Sequence, residues 1–383
     1  MPTSLELVAA EDIKESIADK VTGEIVYVSE AKTGRVHLIT NSNELSSLVN
    51  VLRTVHILSV YSIIIVASEQ IIPSHVFSNV EDTYEFVSSA TESTDWDSIL
   101  NIAVPTQSEN SPPTFRASFH KGQLKHGAKS QELAGYVGFA FNNIYPNWKV
   151  KLTKFDQEVV AVWFQSSERV LLDRLIKENE NVAEQDAPIL TLFGMSIPIP
   201  DPKYRNRLHL GRTSLNPCIA YCLSKLANPT SGQVVLDMCC GTGTIPIEGA
   251  SRFRDTLWIG SEVKVKTLSL KAQGNVHHAG LTNVELMLGD GRQLCLREDW
   301  PWGLREGSYS TIQKLYPKFM RQIHKVLRSD GKAYIVTQGL KLMNRVLGYS
   351  WCAAMWTTES IIPIGIGGYD VFLYVLSKKQ LEL

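Results

Sequence analysis

The chain has 383 residues and a formal charge of −1, with 44% apolar and 20% charged residues. That composition excludes an intrinsically disordered polymer, and the near-neutral charge excludes polyanion binding through a global field, so any such affinity rests on local patches. The length calls for two or three domains.

Six cysteines occur, Cys218, Cys222, Cys239, Cys240, Cys295 and Cys352, none of them in a Cys-x-x-Cys pair. Reduced thiols in the cytoplasm or nucleus, with no metal site, are the expectation. The apolar run "ILSVYSIIIVAS" stops after about a dozen residues, too short to span a membrane, and reads as a buried strand. No signal peptide precedes it, and no membrane association is expected.

Residues 1–104 form the first expected domain. "GEIVYVSE" and "GRVHLIT" read as strands around the turn "AKTG", "SNELSSLVNVLRT" as a Ser/Asn-started helix, "VHILSVYSIIIVAS" as a long strand and "VEDTYEFVSSAT" as an amphipathic helix. Together they make a small α+β sandwich. The polar, proline-rich "PTQSENSPP" is a linker into a second domain, 105–204.

There a strand over Phe115–Phe119 leads to a basic loop, a helix from Ser130 and two strands around Lys151 and Val160. Between Arg116 and Lys129 stand four Arg/Lys and two His, with no acid. An isolated basic run is commonly a solvated loop. Here a helix begins directly after it and sets backbone N–H groups beside Arg116, Lys121, Lys125 and Lys129, an arrangement suited to phosphate.

The third domain, 205–383, alternates strands and helices, which predicts a doubly wound parallel α/β sheet. Thr213 or Ser214 is the expected cap of a helix running to about Leu226. "VVLDMCCGTGTIPIEGA" then delivers Asp237 to the carboxyl end of a buried strand, where ligands bind in such sheets. Gly241 and Gly243 let a ligand approach the backbone closely. A dinucleotide fingerprint and a plain strand–turn–helix are the competing readings. Pro246 stands where the fingerprint's third glycine would pack helix on sheet. Glu262 ends the next strand, suitably placed to accept ribose hydroxyls, and Asp290 ends the third. "LYPKFMRQIHKVLRSDGKAYIVTQG" is an amphipathic helix, a turn and a strand, and "TTESIIPIGIGGYDVFLYVLSKK" a terminal hairpin.

These segments resemble a known family. "FRASFHKG", "KSQELAGYVGFAF" and "VKLTKFDQEVVAVWF" are similar to the THUMP domain, an RNA-binding module that grips the acceptor end of tRNA. "PTSLELVAAEDIKESI" is similar to the opening of the ferredoxin-like domain that precedes it, without its first strand, which implies a shortened N-terminus. Asp-x-x-Cys-Gly-Thr-Gly is similar to the S-adenosylmethionine loop of N-methyltransferases, with Met238 in place of the usual proline. Asp299-Trp300-Pro301-Trp302-Gly303 resembles the [Asp/Asn]-x-Pro-[Phe/Tyr/Trp]-Gly loop of enzymes that methylate exocyclic amino groups.

The chain is thereby identified as similar to the THUMP-domain guanosine N2-methyltransferases. The resemblance implies an α/β architecture: a class I Rossmann-like methyltransferase domain at the C-terminus, behind an α+β ferredoxin-like domain and a THUMP domain. It implies S-adenosyl-L-methionine as cofactor, held by Asp237, Cys240, Gly241, Thr242, Gly243, Glu262, Asp290 and Gly291, with Asp290 on the adenine amine. Its partners would be tRNA and a small zinc-binding methyltransferase activator subunit.

A guanine amine is a poor nucleophile because its lone pair is delocalised into the ring. Hydrogen bonds from its N–H groups to Asp299 and to a carbonyl stiffened by Pro301 would localise that pair, and Trp302 offers a stacking face. Asp290 and Asp299 are separated by eight residues. A parallel crossover needs roughly a dozen or more, so the fourth strand of the family's sheet is expected to be missing. An RNA-binding protein without catalysis is the alternative function.

Overall fold

A computed structural model describes residues 1, 3–103, 112–178, 188–211, 213–290, 309–366 and 369–379. Two compact units divide the chain: Ala10–Pro200, and Met1–Ala9 together with Asp201–Leu383. The first helix, α1 (Glu6–Ile17), crosses that division in sequence.

In the unit spanning 10–200, β1 (Val26–Ser29) and β2 (Val36–Ile39) pair antiparallel around a turn in which Lys32 and Gly34 take positive φ. Next come α2 (Ser42–Thr54), β3 (Ile63–Ile72), the single turn α3 (Ser74–Phe77), α4 (Val80–Glu92) and α5 (Asp97–Ala103). The Asn79 side chain caps α4 by accepting from the Glu81 amide at 2.9 Å, satisfying a donor the helix cannot. The remainder is β4 (Thr114–His120), α6 (Ser130–Ile144), β5 (Lys149–Val150), β6 (Gln157–Gln165), α7 (Arg169–Glu178) and β7 (Ile189–Ile197).

Five strands form one sheet in the order β3-β7-β6-β4-β5. The unbroken apolar run of β6 follows from burial on both faces. Val160, Val162 and Phe164 pack with Leu171, Leu172 and Leu175 of α7. Trp163, on the opposite face by alternation, meets Phe77, Phe119 and His126.

This sheet runs through the expected boundary at 104. β3, from the first expected domain, pairs with β7 from the second, over a ladder from Ile63↔Ile197 to Ile72↔Ile189. A cut at 104 would separate β3 from the ladder that satisfies its backbone, and β7 itself escapes the sequence reading. The sequence pattern sees the strands but not this pairing.

The second unit contains α8 (Pro217–Ala227), β8 (Val234–Asp237), α9 (Thr244–Arg252), β9 (Leu257–Glu262), a π-helical stretch at Thr267–Ala272 continuing into α10 (Gln273–His278), and β10 (Val284–Leu288). The expected cap of α8 at Thr213 or Ser214 is corrected. Asn216 is the cap, accepting from the Cys218 amide at 2.8 Å, with Pro217 at the first helical position, where its missing N–H costs nothing. The three strands are parallel in the order β10-β9-β8.

Then follow α11 (Tyr309–Val326), β11 (Lys332–Thr337), α12 (Leu340–Leu347), α13 (Ser350–Met355), β12 (Trp356–Ile366) and β13 (Tyr369–Lys378). These last strands form an antiparallel sheet in the order β11-β13-β12. Among the described residues the parallel and antiparallel sheets share no ladder, so the single doubly wound sheet expected from sequence is seen as two three-stranded halves. The N-terminus adds to the second half, where Thr3 Oγ1 accepts from the Gly365 amide at 2.9 Å.

α9 lies close on β9 because Gly249 faces the Trp258 ring, where any Cβ would collide with the indole. The close helix–sheet contact that Pro246 was expected to preclude is therefore made three residues later. No helix among the described residues is long and apolar enough to cross a membrane.

Candidate cofactor site

Three parallel strands end on three acids. β8 ends at Asp237, β9 at Glu262, and Asp290 stands two residues past β10. The loop after β8 is bound to the end of β9 by the Cys240 amide, which donates to Ser261 O at 2.8 Å. It then turns on Gly241 and Gly243, at φ +55° and +83°, with the Gly243 amide donating to Cys240 O at 2.7 Å. Both φ values lie where an L side chain is strained.

The two glycines face different surroundings. A Cβ at Gly241 would meet nothing within 4 Å, whereas one at Gly243 would lie 3.4 Å from Ile247 Cδ1, close to Ala272. Gly241 is thus the position beside which a ligand has room. Gly243 is held by backbone conformation and by the packing of α9.

Glu262 is buried and orients this loop. Its Oε2 accepts from the Gly241 amide at 3.1 Å and its Oε1 from the Lys264 amide at 2.9 Å. Each oxygen keeps acceptor capacity for a further donor such as a hydroxyl. Asp237 Oδ1 accepts from the Cys239 amide at 3.0 Å. Burial pushes the Asp237 carboxyl up to about 6; the charge of Glu262 adds to this and the Cys239 N–H opposes it. Asp290 is fully buried.

Cys240 and Thr242 serve the loop through their side chains. Cys240 is buried, and a Cβ at Gly260 would lie 2.9 Å from its Sγ, so that glycine admits the thiol onto β9. Burial also raises the Cys240 thiol far above its usual range, which keeps it protonated. Thr242 Oγ1 shares a 2.9 Å hydrogen bond with Ser214 Oγ. Gly291, Asp299, Pro301 and Trp302 lie outside the described residues.

Sequence reasoning missed the segment that braces this loop. Asn275, fully buried on α10, accepts from the Leu208 and His209 amides at 2.9 and 2.7 Å and donates to His209 O and Thr242 O at 2.9 and 3.0 Å. Arg207, buried as well, donates to Lys203 O, Leu215 O and Thr244 Oγ1. Arg205 pairs with buried Glu248 of α9 at 2.8 Å. An acid on the inner face of the helix after a glycine loop, with Arg-x-Arg upstream, was the available signal.

The four cations expected to meet RNA are differently disposed. Arg116 pairs with Glu158 at 2.6 Å and lies over the Phe155 ring at 4.4 Å. Lys121 Nζ donates to His126 O and Ala128 O at 2.8 and 2.6 Å, so it folds its own loop. Lys129 reaches Glu132 at 2.9 Å on the surface, and Lys125 is exposed. Among the described residues no group of three or more His, Cys, Asp or Glu is placed to hold a metal ion.

Residues 202–359 match the RMKL-like methyltransferase domain family (UPF0020). The chain is 28% identical to the tRNA (guanine(6)-N(2))-methyltransferase THUMP3 of Bos taurus over 286 residues, 69% of this chain and 51% of that protein. The human protein of that name matches equally, at 28% over 284 residues, covering 68% of this chain and 50% of the relative. The chain thus spans about half the length of the curated relatives it matches. TrmN from Thermus thermophilus superposes with a TM-score of 0.65 at 21% identity, covering 99% of this chain and 98% of that one. SMU.472, solved in complex with SAH, gives a TM-score of 0.58 at 14% identity, covering 100% of this chain and 97% of that one. The class I methyltransferase fold expected at the C-terminus is borne out, as is the resemblance to guanine-N2 methyltransferases.

Proposed function

Taking residues 202–359 as an RMKL-like methyltransferase domain, we propose that this chain transfers a methyl group from S-adenosyl-L-methionine to the exocyclic N2 amine of a guanosine in tRNA. The observation that carries the reading is the convergence of Asp237, Glu262 and Asp290 at the ends of three adjacent parallel strands, beside a positive-φ glycine loop. A pyrophosphate would meet three carboxylates there. A nucleoside bearing hydroxyls, amines and a sulfonium meets complementary acceptors instead, so the three carboxylates fit S-adenosylmethionine and disfavour a dinucleotide.

When bound, S-adenosylmethionine would supply an electrophilic methyl and leave as its thioether, with the proton of the methylated amine passing to Asp299 or to water. In this chain Glu262 would accept the ribose hydroxyls while fixing the Gly241 amide, and Asp290 would accept from the adenine amine. Asp299, Pro301 and Trp302 are the residues proposed to orient the guanine. The unit spanning 10–200 is proposed to include the ferredoxin-like and THUMP elements, with Lys125 and Lys129 still exposed toward phosphate. A small zinc-binding activator is the proposed protein partner, and β10, the outer strand of the described parallel sheet, with Met287 and Leu288 exposed on its two faces, is the place proposed for it.

The eight-residue spacing of Asp290 and Asp299 favours a second reading, RNA binding without catalysis. Mass spectrometry of nucleosides from tRNA incubated with the protein and S-adenosylmethionine, with and without activator, separates the two. N2-methylguanosine that disappears in Asp299→Ala supports catalysis. Cofactor binding with no modified nucleoside in either condition supports the alternative.

A further inference from the structure

α11 carries Lys314, Lys318, Arg321 and Lys325 at spacings of four, three and four residues. On a 3.6-residue helix these fall on one stripe, about 16 Å long from the 1.5 Å rise. The opposite face holds Leu315, Tyr316, Phe319, Met320 and His324, all buried. The stripe is therefore directed to solvent by the packing of the helix, and all four cations are exposed.

Acid is nearly absent from the segment that carries it, between Glu306 and Glu359. From residue 309 to 358 the sequence holds eight Lys/Arg and one acid, Asp330, in a chain of net charge −1. Asp330 is paired with Arg328 at 3.0 Å, and Lys332 reaches Glu359 at 2.7 Å. The stripe has no acidic partner among the described residues, nor have the exposed Lys341 and Arg345, four apart on α12. Arg321 lies 3.9 Å over the Trp351 ring of α13, which holds its guanidinium at the surface without neutralising it.

We propose that this α11 stripe is a phosphate-backbone contact for RNA on the methyltransferase unit itself. The inference rests on the reading of the chain as an RNA methyltransferase. Charge complementarity selects the occupant. A duplex presents one negative charge per ~1.7 Å of axis, and binding is driven by release of its counterions to solvent as unpaired Lys and Arg neutralise its phosphates. A protein partner would be expected to find an apolar centre, whereas the outward stripe on α11 is Lys, Lys, Arg and Lys. The loop at 116–129 has three of its four cations engaged within the fold, Lys129 by Glu132, so more unneutralised charge lies on α11 than on the segment the sequence singles out.

The test is filter binding of tRNA by the full chain across a salt series, comparing wild type with K314E/K318E/K325E and with K314Q/K318Q/K325Q. Arg321 is left in place to keep its stack on Trp351. Affinity at moderate salt should fall roughly tenfold or more in the Glu variant and less in the Gln variant, and the log–log salt slope should drop by about two to three. Melting temperature and S-adenosylmethionine binding should match wild type. Unchanged affinity and slope in both variants, with wild type binding tRNA, would overturn the proposal while leaving the functional reading intact. So would loss of binding to polyglutamate alone, which would mark the face as one for an acidic protein. Failure of wild type to bind tRNA at all would instead strike the functional reading and the inference with it.

Discussion

Glu262 holds the Gly241 amide at 3.1 Å, so one carboxylate both shapes the glycine loop and faces the space beside it. Replacing it by Ala removes two charge-assisted hydrogen bonds, to Gly241 and Lys264. S-adenosylmethionine affinity should drop roughly 10- to 100-fold, the scale of ~1.5–3 kcal/mol for a charged hydrogen bond. Calorimetric titration reads this directly, and wild-type affinity in Glu262→Ala would remove the residue from the site.

The two loop glycines should fail in different ways. Gly241→Val and Gly243→Val both force a branched side chain to positive φ, so both should lose stability, by ~1–2 kcal/mol or more. Gly241→Val additionally fills the open space beside the loop, and its affinity should fall at least about tenfold even where it is fully folded. Gly243→Val directs its side chain at Ile247 and Ala272, so its deficit should appear mainly in the melting curve. Equal affinity losses in the two variants, measured below both melting transitions, would contradict this division.

Cofactor binding should depend on Asp237. Its carboxyl is raised by burial to about 6, so below that pH it is neutral and above it ionised. A cationic ligand prefers the ionised form, so affinity should rise with pH through about 6 and fall by up to ~tenfold per unit below it. Asp237→Asn should flatten that profile. A wild-type profile flat from pH 5 to 7.5 would show that this carboxyl does not govern binding.

Asn275 is a structural brace for the site. Asn275→Ala leaves the Leu208 and His209 amides and the Thr242 carbonyl without their buried partner. A loss of about 3 kcal/mol in unfolding free energy is expected from stranding several buried polar groups. Denaturant titration measures it, and a variant within ~0.5 kcal/mol of wild type would show the brace to be dispensable.

Features carried by a few consecutive residues were legible in the sequence. The glycine loop and the acids near strand ends depend on local pattern: β8 and β9 end on Asp237 and Glu262 as the pattern sets them, while β10 stops at Leu288, two residues before Asp290. Pairing between distant segments was not legible, and β7 joining β3 redraws a domain boundary for that reason. Polar residues misled in both directions. Asn275 and Arg207 look like surface residues until tertiary packing buries them, while Lys121 looks available until its ammonium is found on two carbonyls. Pro246 argued against close packing of α9 on the sheet, yet Gly249 was needed to see how α9 still reaches Trp258.

The position of β7 also sets an order of assembly. It is the last strand made in its unit, yet it lies between β3 and β6 in the sheet. A chain emerging from its N-terminus carries β3 and β6 with one edge each waiting for a partner not yet synthesised. Such edges recruit other chains when left open, and pairing at this sequence separation forms slowly. Release of a product ending before residue 189 should therefore yield aggregates rather than a smaller soluble unit, whereas release after 200 completes the sheet.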